Sequence, residues 1–107
     1  MTIKVQPKTK NKLKKIIDKE IKEKGPNCSL NFIDNSLITD MSHLFSNSDF
    51  NGDISGWNVS NVKDMTGMFY DSKFNGDISE WDTSNVKEMD NVFHHSQLEK
   101  KPEFKPI

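Results

Sequence analysis

Apolar side chains recur along this chain in two rhythms. Near the N-terminus, Leu13, Ile16, Ile17 and Ile21 fall at i, i+3, i+4 and i+8, which places them on one stripe of a helix with lysines around the rest. Thr9 offers an N-cap oxygen, and Gly25 followed by Pro26 is a stop signal. Glycine accepts the left-handed conformation just past a helix end, and proline cannot continue the turn. The pattern predicts a helix over about residues 9 to 24.

Beyond Pro26 the rhythm changes to a repeat of 24 residues, plainest in FNGDISGW at 50 to 57 and FNGDISEW at 74 to 81. Aligning Ile33 with Trp57 and Trp81 defines three units, 33 to 56, 57 to 80 and 81 to 104. Met41, Met65 and Met89 then coincide, as do Phe45, Phe69 and Phe93, and Leu30 aligns with Ile54 and Ile78. A fixed period in the twenties is the signature of a solenoid, whose units bury their apolar sides on one another. Within a unit, Val62, Met65, Met68 and Phe69 have helical spacing behind Ser60 or Asn61, predicting a short helix over about residues 63 to 70 with Tyr70 on its outer side. Asn51-Gly52 suits a turn with positive φ, and Asp53, Ile54 and Ser55 then alternate polar and apolar as a half-buried strand does. Strands stack about 4.8 Å apart and helices no closer than about 8 Å, so the stack should curve with strands inside. The fold class expected is α/β: a short right-handed solenoid of three 24-residue turns, similar to a leucine-rich repeat. Residues 1–26 are its basic amphipathic capping helix, and residues 27–107 are the three-repeat solenoid with an irregular C-terminal tail. The pattern decays after Ser96, where QLEKKPEFKPI replaces FNGDIS.

The stretches FNGDISGWNVSNVKDMTGMF (50 to 69) and FNGDISEWDTSNVKEMDNVF (74 to 93) resemble a bacterial surface-protein repeat, BspA-like and common in Mycoplasma lipoproteins. SLITDMSHLF, residues 36 to 45, is similar to the opening unit of that family, and PKTKNKLKKII to its leading helix. The resemblance implies surface exposure, adhesion or binding of a protein partner, properties assigned to the family mainly by analogy.

Composition narrows these readings. Only 33% of residues are apolar, but seven Phe, five Met and two Trp are enough for a thin, compact core. Cys28 is the single cysteine, which rules out an internal disulfide and suits a reducing compartment or no redox role at all. No signal peptide and no membrane span are written in these residues, so the chain as it stands reads as cytoplasmic, against the cell surface implied by the resemblance. The net charge of −1 conceals a division. Residues 1 to 26 carry nine Lys against three acids, and residues 27 to 96 carry three Lys against eleven acids.

Candidate chemistry is sparse. Asn31, Asp53, Ser55, Asp77 and Ser79 should face outward on the strand side if Ile54 and Ile78 face in, making that face acidic and the first candidate contact surface. Asp53 and Asp77 could form an acid/base pair or hold a hard cation, but an Asp after Asn-Gly more often closes its own bend by accepting backbone N–H groups. Trp57 and Trp81 could offer a platform for a sugar; stacked below Ile33 they read more readily as core. His94 and His95 are adjacent, so on a helix they would point apart and not make the i, i+4 pair of a metal site. No phosphate loop, nucleophile elbow or zinc spacing appears, so neither an enzymatic role nor a cofactor is expected. The functional expectation is a non-enzymatic repeat module for protein–protein interaction. The alternative is a binder of an anionic polymer or surface through Lys12, Lys15, Lys19 and Lys22; the absence of Arg and aromatic residues on that stripe weighs against nucleic acid. Partner identity and oligomeric state are left open by the sequence.

Overall fold

The structure is a computed structural model and describes residues 4 to 104. One helix forms, α1 (Lys10–Lys24). The Thr9 Oγ1 accepts from the Lys12 N–H at 3.2 Å, and Gly25, at φ 89°, donates its N–H to the Ile21 carbonyl. Leu13 and Ile17 are buried in the common core, with Ile16 and Ile21 packed at its margin. Two lysines fasten the helix to the first unit. Lys10 Nζ reaches the Ser42 Oγ at 2.9 Å, the Ser42 carbonyl at 3.3 Å and Asp40 at 3.5 Å, while Lys14 Nζ reaches the Leu44 carbonyl at 3.3 Å.

The rest of the chain does not build the expected α/β solenoid. Among the described residues α1 is the only helix and no sheet forms. Extended pairing is confined to isolated parallel bridges, Val5 with Ile33, Ser29 with Asp53, Asp40 with Asp64 and Asp64 with Glu88. Residues 66 to 71, inside and beside the expected helix, are turns. The leucine-rich-repeat-like arc loses its basis, because its curvature required helices and strands of unequal spacing.

The backbone shows why. Gly67 and Asp71 have φ of 61° and 51°, and the same two positions of the neighbouring units, His43 with Asn47 and Asn91 with His95, have φ of 57° to 58°. Each is the third residue of a four-residue turn, such as Met65 to Met68, closed by the Met68 N–H on the Met65 carbonyl at 3.1 Å. Turns of this kind favour Gly or Asn at the third place. A left-handed residue at every fourth position cannot belong to a right-handed helix.

Hydrogen bonds then divide by parity. N–H groups of Leu44, Ser46 and Ser48 close turns within their own unit. Those of Met41, His43, Phe45 and Asn47 cross instead to the carbonyls of Asp64, Thr66, Met68 and Tyr70 at 2.8 to 2.9 Å. The second unit repeats the pattern, from Met65, Gly67, Phe69 and Asp71 to Glu88, Asp90, Val92 and His94. A sheet would also require donors running back the other way along its length; here Lys63 and Asp64 donate back to the Thr39 carbonyl, and Lys87 and Glu88 to that of Lys63, but beyond these bridges the donors are spent inside the turns.

Side chains of equal register lie on one another between these ladders. Phe45, Phe69 and Phe93 form a column with centroids 5.7 and 6.0 Å apart, Phe50 stacks on Phe74 at 5.9 Å, and Trp57 on Trp81 at 6.3 Å. The indole N–H of Trp57 donates to the Leu30 carbonyl at 2.8 Å, and that of Trp81 to the Ile54 carbonyl at 3.1 Å, so each ring is both core and strut between units.

Candidate functional site

The sequence-predicted acidic face exists as an exposed row, although no strand carries it. Ile54 and Ile78 are buried, and Asp53, Ser55, Asp77 and Ser79 are exposed. Asn31 is half-buried, its Oδ1 accepting from the Gly56 N–H at 3.0 Å. Gly52 and Gly76 are not at positive φ, contrary to the expectation for Asn-Gly. A Cβ at Gly52 would run into the backbone carbonyl of Cys28, so this glycine serves close approach between chain segments.

Asp53 and Asp77 each close their own bend. The Oδ1 of Asp53 accepts the Ser55 N–H at 2.9 Å and the Ser55 hydroxyl at 2.7 Å; that of Asp77 accepts the Ser79 N–H at 3.0 Å and hydroxyl at 2.6 Å. These bonds hold both carboxyls below the usual aspartate range, the Ser55 N–H and then its hydroxyl acting on Asp53, the Ser79 hydroxyl and then its N–H on Asp77. A general acid working near neutral pH needs the opposite shift. The device recurs, with Asp34 and Ser36, Asp64 and Thr66, and Asp82 and Ser84. At Asp40 burial opposes ionisation, but the Ser42 hydroxyl and N–H together with Lys10 outweigh it.

The other candidates separate cleanly. Trp57 and Trp81 are buried, as the core reading required. His94 and His95 do not point apart, since they lie in turns and their rings are 4.2 Å apart, edge to face. Tyr70 is not a free outer side chain: it is half-buried and stacks on His94 at 5.4 Å. Among the described residues no three His, Cys, Asp or Glu side chains converge as a metal site, and no helix is long and apolar enough to cross a membrane. On α1, Lys12, Lys15, Lys19 and Lys22 are all exposed and enter none of the ion pairs among the described residues, whereas Lys10, Lys14 and Lys24 are paired with Asp40, Asp18 and Glu20.

The family of Mycoplasma proteins of unknown function, DUF285, matches residues 12–102, a span that runs from within α1 into the last residues of the third unit. The chain belongs to the DUF285 family. The comparison supports that family and does not extend to a BspA-like repeat. No match was found among curated proteins or solved structures. For this DUF285 chain, the features that sequence reasoning missed are the left-handed positions, which had a signal. Gly67, and Asn91 at the same place in the third unit, fall within what was read as a helical run, and Asp71 with its counterpart Asn47 stands just past its end; all are residues at home in that conformation.

Proposed function

We propose that this chain is a non-enzymatic protein-interaction module whose contact face carries Asn31, Asp53, Ser55, Asp77 and Ser79. The observation that supports the reading is the double anchoring of Asp53 and Asp77. Each is exposed, and each has one oxygen held by the N–H and hydroxyl of a neighbouring serine, with the Asn31 side chain adding a further hydrogen bond at Asp53. A carboxylate already fixed in one orientation loses little freedom on binding, and the excess of acids over lysines in residues 27 to 96 suits a basic protein surface. The test is quantitative capture from source-cell lysate on immobilised wild type, on Asp53→Asn/Asp77→Asn, and on Lys12→Glu/Lys15→Glu/Lys19→Glu/Lys22→Glu. Captured protein should fall by about tenfold with the aspartate variant and persist with the lysine variant. Equal capture by wild type and the aspartate variant would end this reading.

The alternative is binding of an anionic polymer, favoured by Lys12, Lys15, Lys19 and Lys22 of α1, which enter no ion pair among the described residues and whose spacing puts them on one stripe. A sulfated polysaccharide is the probe. Affinity that falls steeply with added salt and disappears in the lysine variant would select this reading, since released counterions compete with bound protein.

A further inference from the structure

The chain writes Phe-Asn-Gly-Asp-Ile-Ser twice, at 50 to 55 and 74 to 79, and the fold treats the two copies differently. In the first, the Pro26 carbonyl holds the Asn51 N–H at 2.8 Å and the Cys28 carbonyl holds the Asp53 N–H at 3.3 Å, pinning the peptide between them on both sides. The Cys28 carbonyl also lies against Gly52, where an added Cβ would overlap it. The Asn51 carboxamide is tied to the next unit, its Oδ1 accepting the Asn75 N–H at 2.8 Å. In the second copy that bond is all the anchoring Asn75 has. The Asp77 N–H meets no acceptor among the described residues, and the Asn75 carboxamide enters no hydrogen bond among them. The neighbour that could have held this copy is in place, since the Lys100 carbonyl accepts the Ile78 N–H at 3.2 Å, but it leaves Asn75 untouched. Both asparagines are exposed and neither glycine N–H has an acceptor among the described residues, so anchoring alone separates them.

We propose that Asn75 is a site of spontaneous modification, deamidating through a cyclic imide with Gly76 while Asn51 is protected. The Gly76 nitrogen attacks Asn75 Cγ and a new C–N bond forms. The Cγ–Nδ2 bond breaks, and Nδ2 leaves as ammonia, taking up a proton in place of the one Gly76 loses to solvent. Water then opens the imide at one carbonyl or the other, leaving aspartate or isoaspartate. A following glycine favours the attack because it has no Cβ to screen the nitrogen and is free to rotate. Ring closure requires the side-chain carbon and the next nitrogen to swing into contact. At Asn75 a single hydrogen bond opposes that swing; at Asn51 three do, together with the Cys28 contact at Gly52. The product has a new carboxylate two residues from Asp77, and isoaspartate also lengthens the main chain by a methylene, so the acidic row acquires a second form. The modification does not depend on what that row binds, and the two readings fail separately.

The experiment ages the full chain at mildly alkaline pH, both folded and in urea, and follows the two asparagines by peptide mass spectrometry, with isoaspartate resolved from aspartate by chromatography. In urea the two sites have the same near neighbours and should react at equal rates. In the folded chain Asn75 should react faster than Asn51 by about tenfold or more, the scale on which misplacing reacting atoms slows a reaction. Anion exchange should resolve the aged chain as a more acidic species. Asn75→Gln, whose longer side chain closes an imide poorly, should suppress that species. Equal rates at the two sites in the folded chain, Asn51 reacting first, or neither site reacting while the unfolded chain does would each overturn the proposal.

Discussion

At Gly52 the constraint is contact and not dihedral angle. An added Cβ would meet the Cys28 carbonyl, a backbone atom that cannot step aside, whereas at Gly76 the nearest atoms belong to the Phe74 ring. Gly52→Ala should therefore lower stability by about 3 kcal/mol or more, as overpacking at its worst does, and Gly76→Ala by less; urea midpoints of the two variants check the order. Asn35 is the opposite case. It is fully buried, both ends of its amide lack a partner among the described residues, and the next unit has buried Val59 at the same place. Removing an unsatisfied buried polar group should gain about 1 to 3 kcal/mol, so Asn35→Val is expected to raise the urea midpoint. Of these residue-level facts, the apolar positions were legible from spacing, but the reason for Gly52 was not. It depends on Cys28, a residue that only folding brings near.

At the scale of elements, α1 was readable almost to its ends because every signal for it is local. The cap, the stripe and the stop lie within the same short stretch; the structure uses Thr9 as the N-cap and ends the helix at Gly25, whose φ is positive although its ψ of 170° lies outside the left-handed helical region expected for it. Thr9→Ala should cost about 1 kcal/mol, the usual loss of an N-cap, measured by urea titration of the full chain. The short helix expected over residues 63 to 70 failed because spacing was read without backbone preference. Apolar residues at i, i+3 and i+4 also fit two successive four-residue turns, and the left-handed residues Gly67 and Asp71 decide for the turns. The strand after Asn-Gly failed differently. Ile54 is buried between exposed Asp53 and Ser55 as alternation predicts, but one isolated bridge to Ser29 is all the pairing that follows.

At the scale of the molecule, position in the stack should grade the cost of equal substitutions. Phe69 is sandwiched between Phe45 and Phe93, while Phe93 has Phe69 on one side and only Lys101 and Phe104 on the other. Phe69→Ala should lose about 3 to 5 kcal/mol, the cost of truncating a buried Phe, and Phe93→Ala clearly less. Against a total stability of about 5 to 15 kcal/mol, the first change approaches the limit of folding, and circular dichroism with urea midpoints separates the two. Acid should act on the whole array of bends together. Asp34, Asp40, Asp53 and Asp77 all have carboxyls held below their ordinary range in the folded chain. A depressed folded value means that the contribution is complete above the ordinary aspartate value, about 4, and is lost as pH falls through the lower folded value. Urea midpoints should hold level from neutral pH to about 5 and decline below about 4. A decline beginning near pH 6 would overturn the assignment to these aspartates.

The sequence by itself determined which side chains would be buried, where α1 starts and stops, and the 24-residue register that sets Phe on Phe and Trp on Trp. These follow from hydrophobicity and local capping, which a residue carries wherever it goes. Only the tertiary structure decided the path of the backbone between those anchors. Burial asks that one side of a segment be apolar, a demand that helix, strand and a ribbon of turns can all meet. The choice among them rests on where each N–H finds its acceptor, and at Met41, Phe45, Met65 and Phe69 that acceptor belongs to the next unit. Such a partner is absent until the chain has folded back, so no local reading of the sequence contains it.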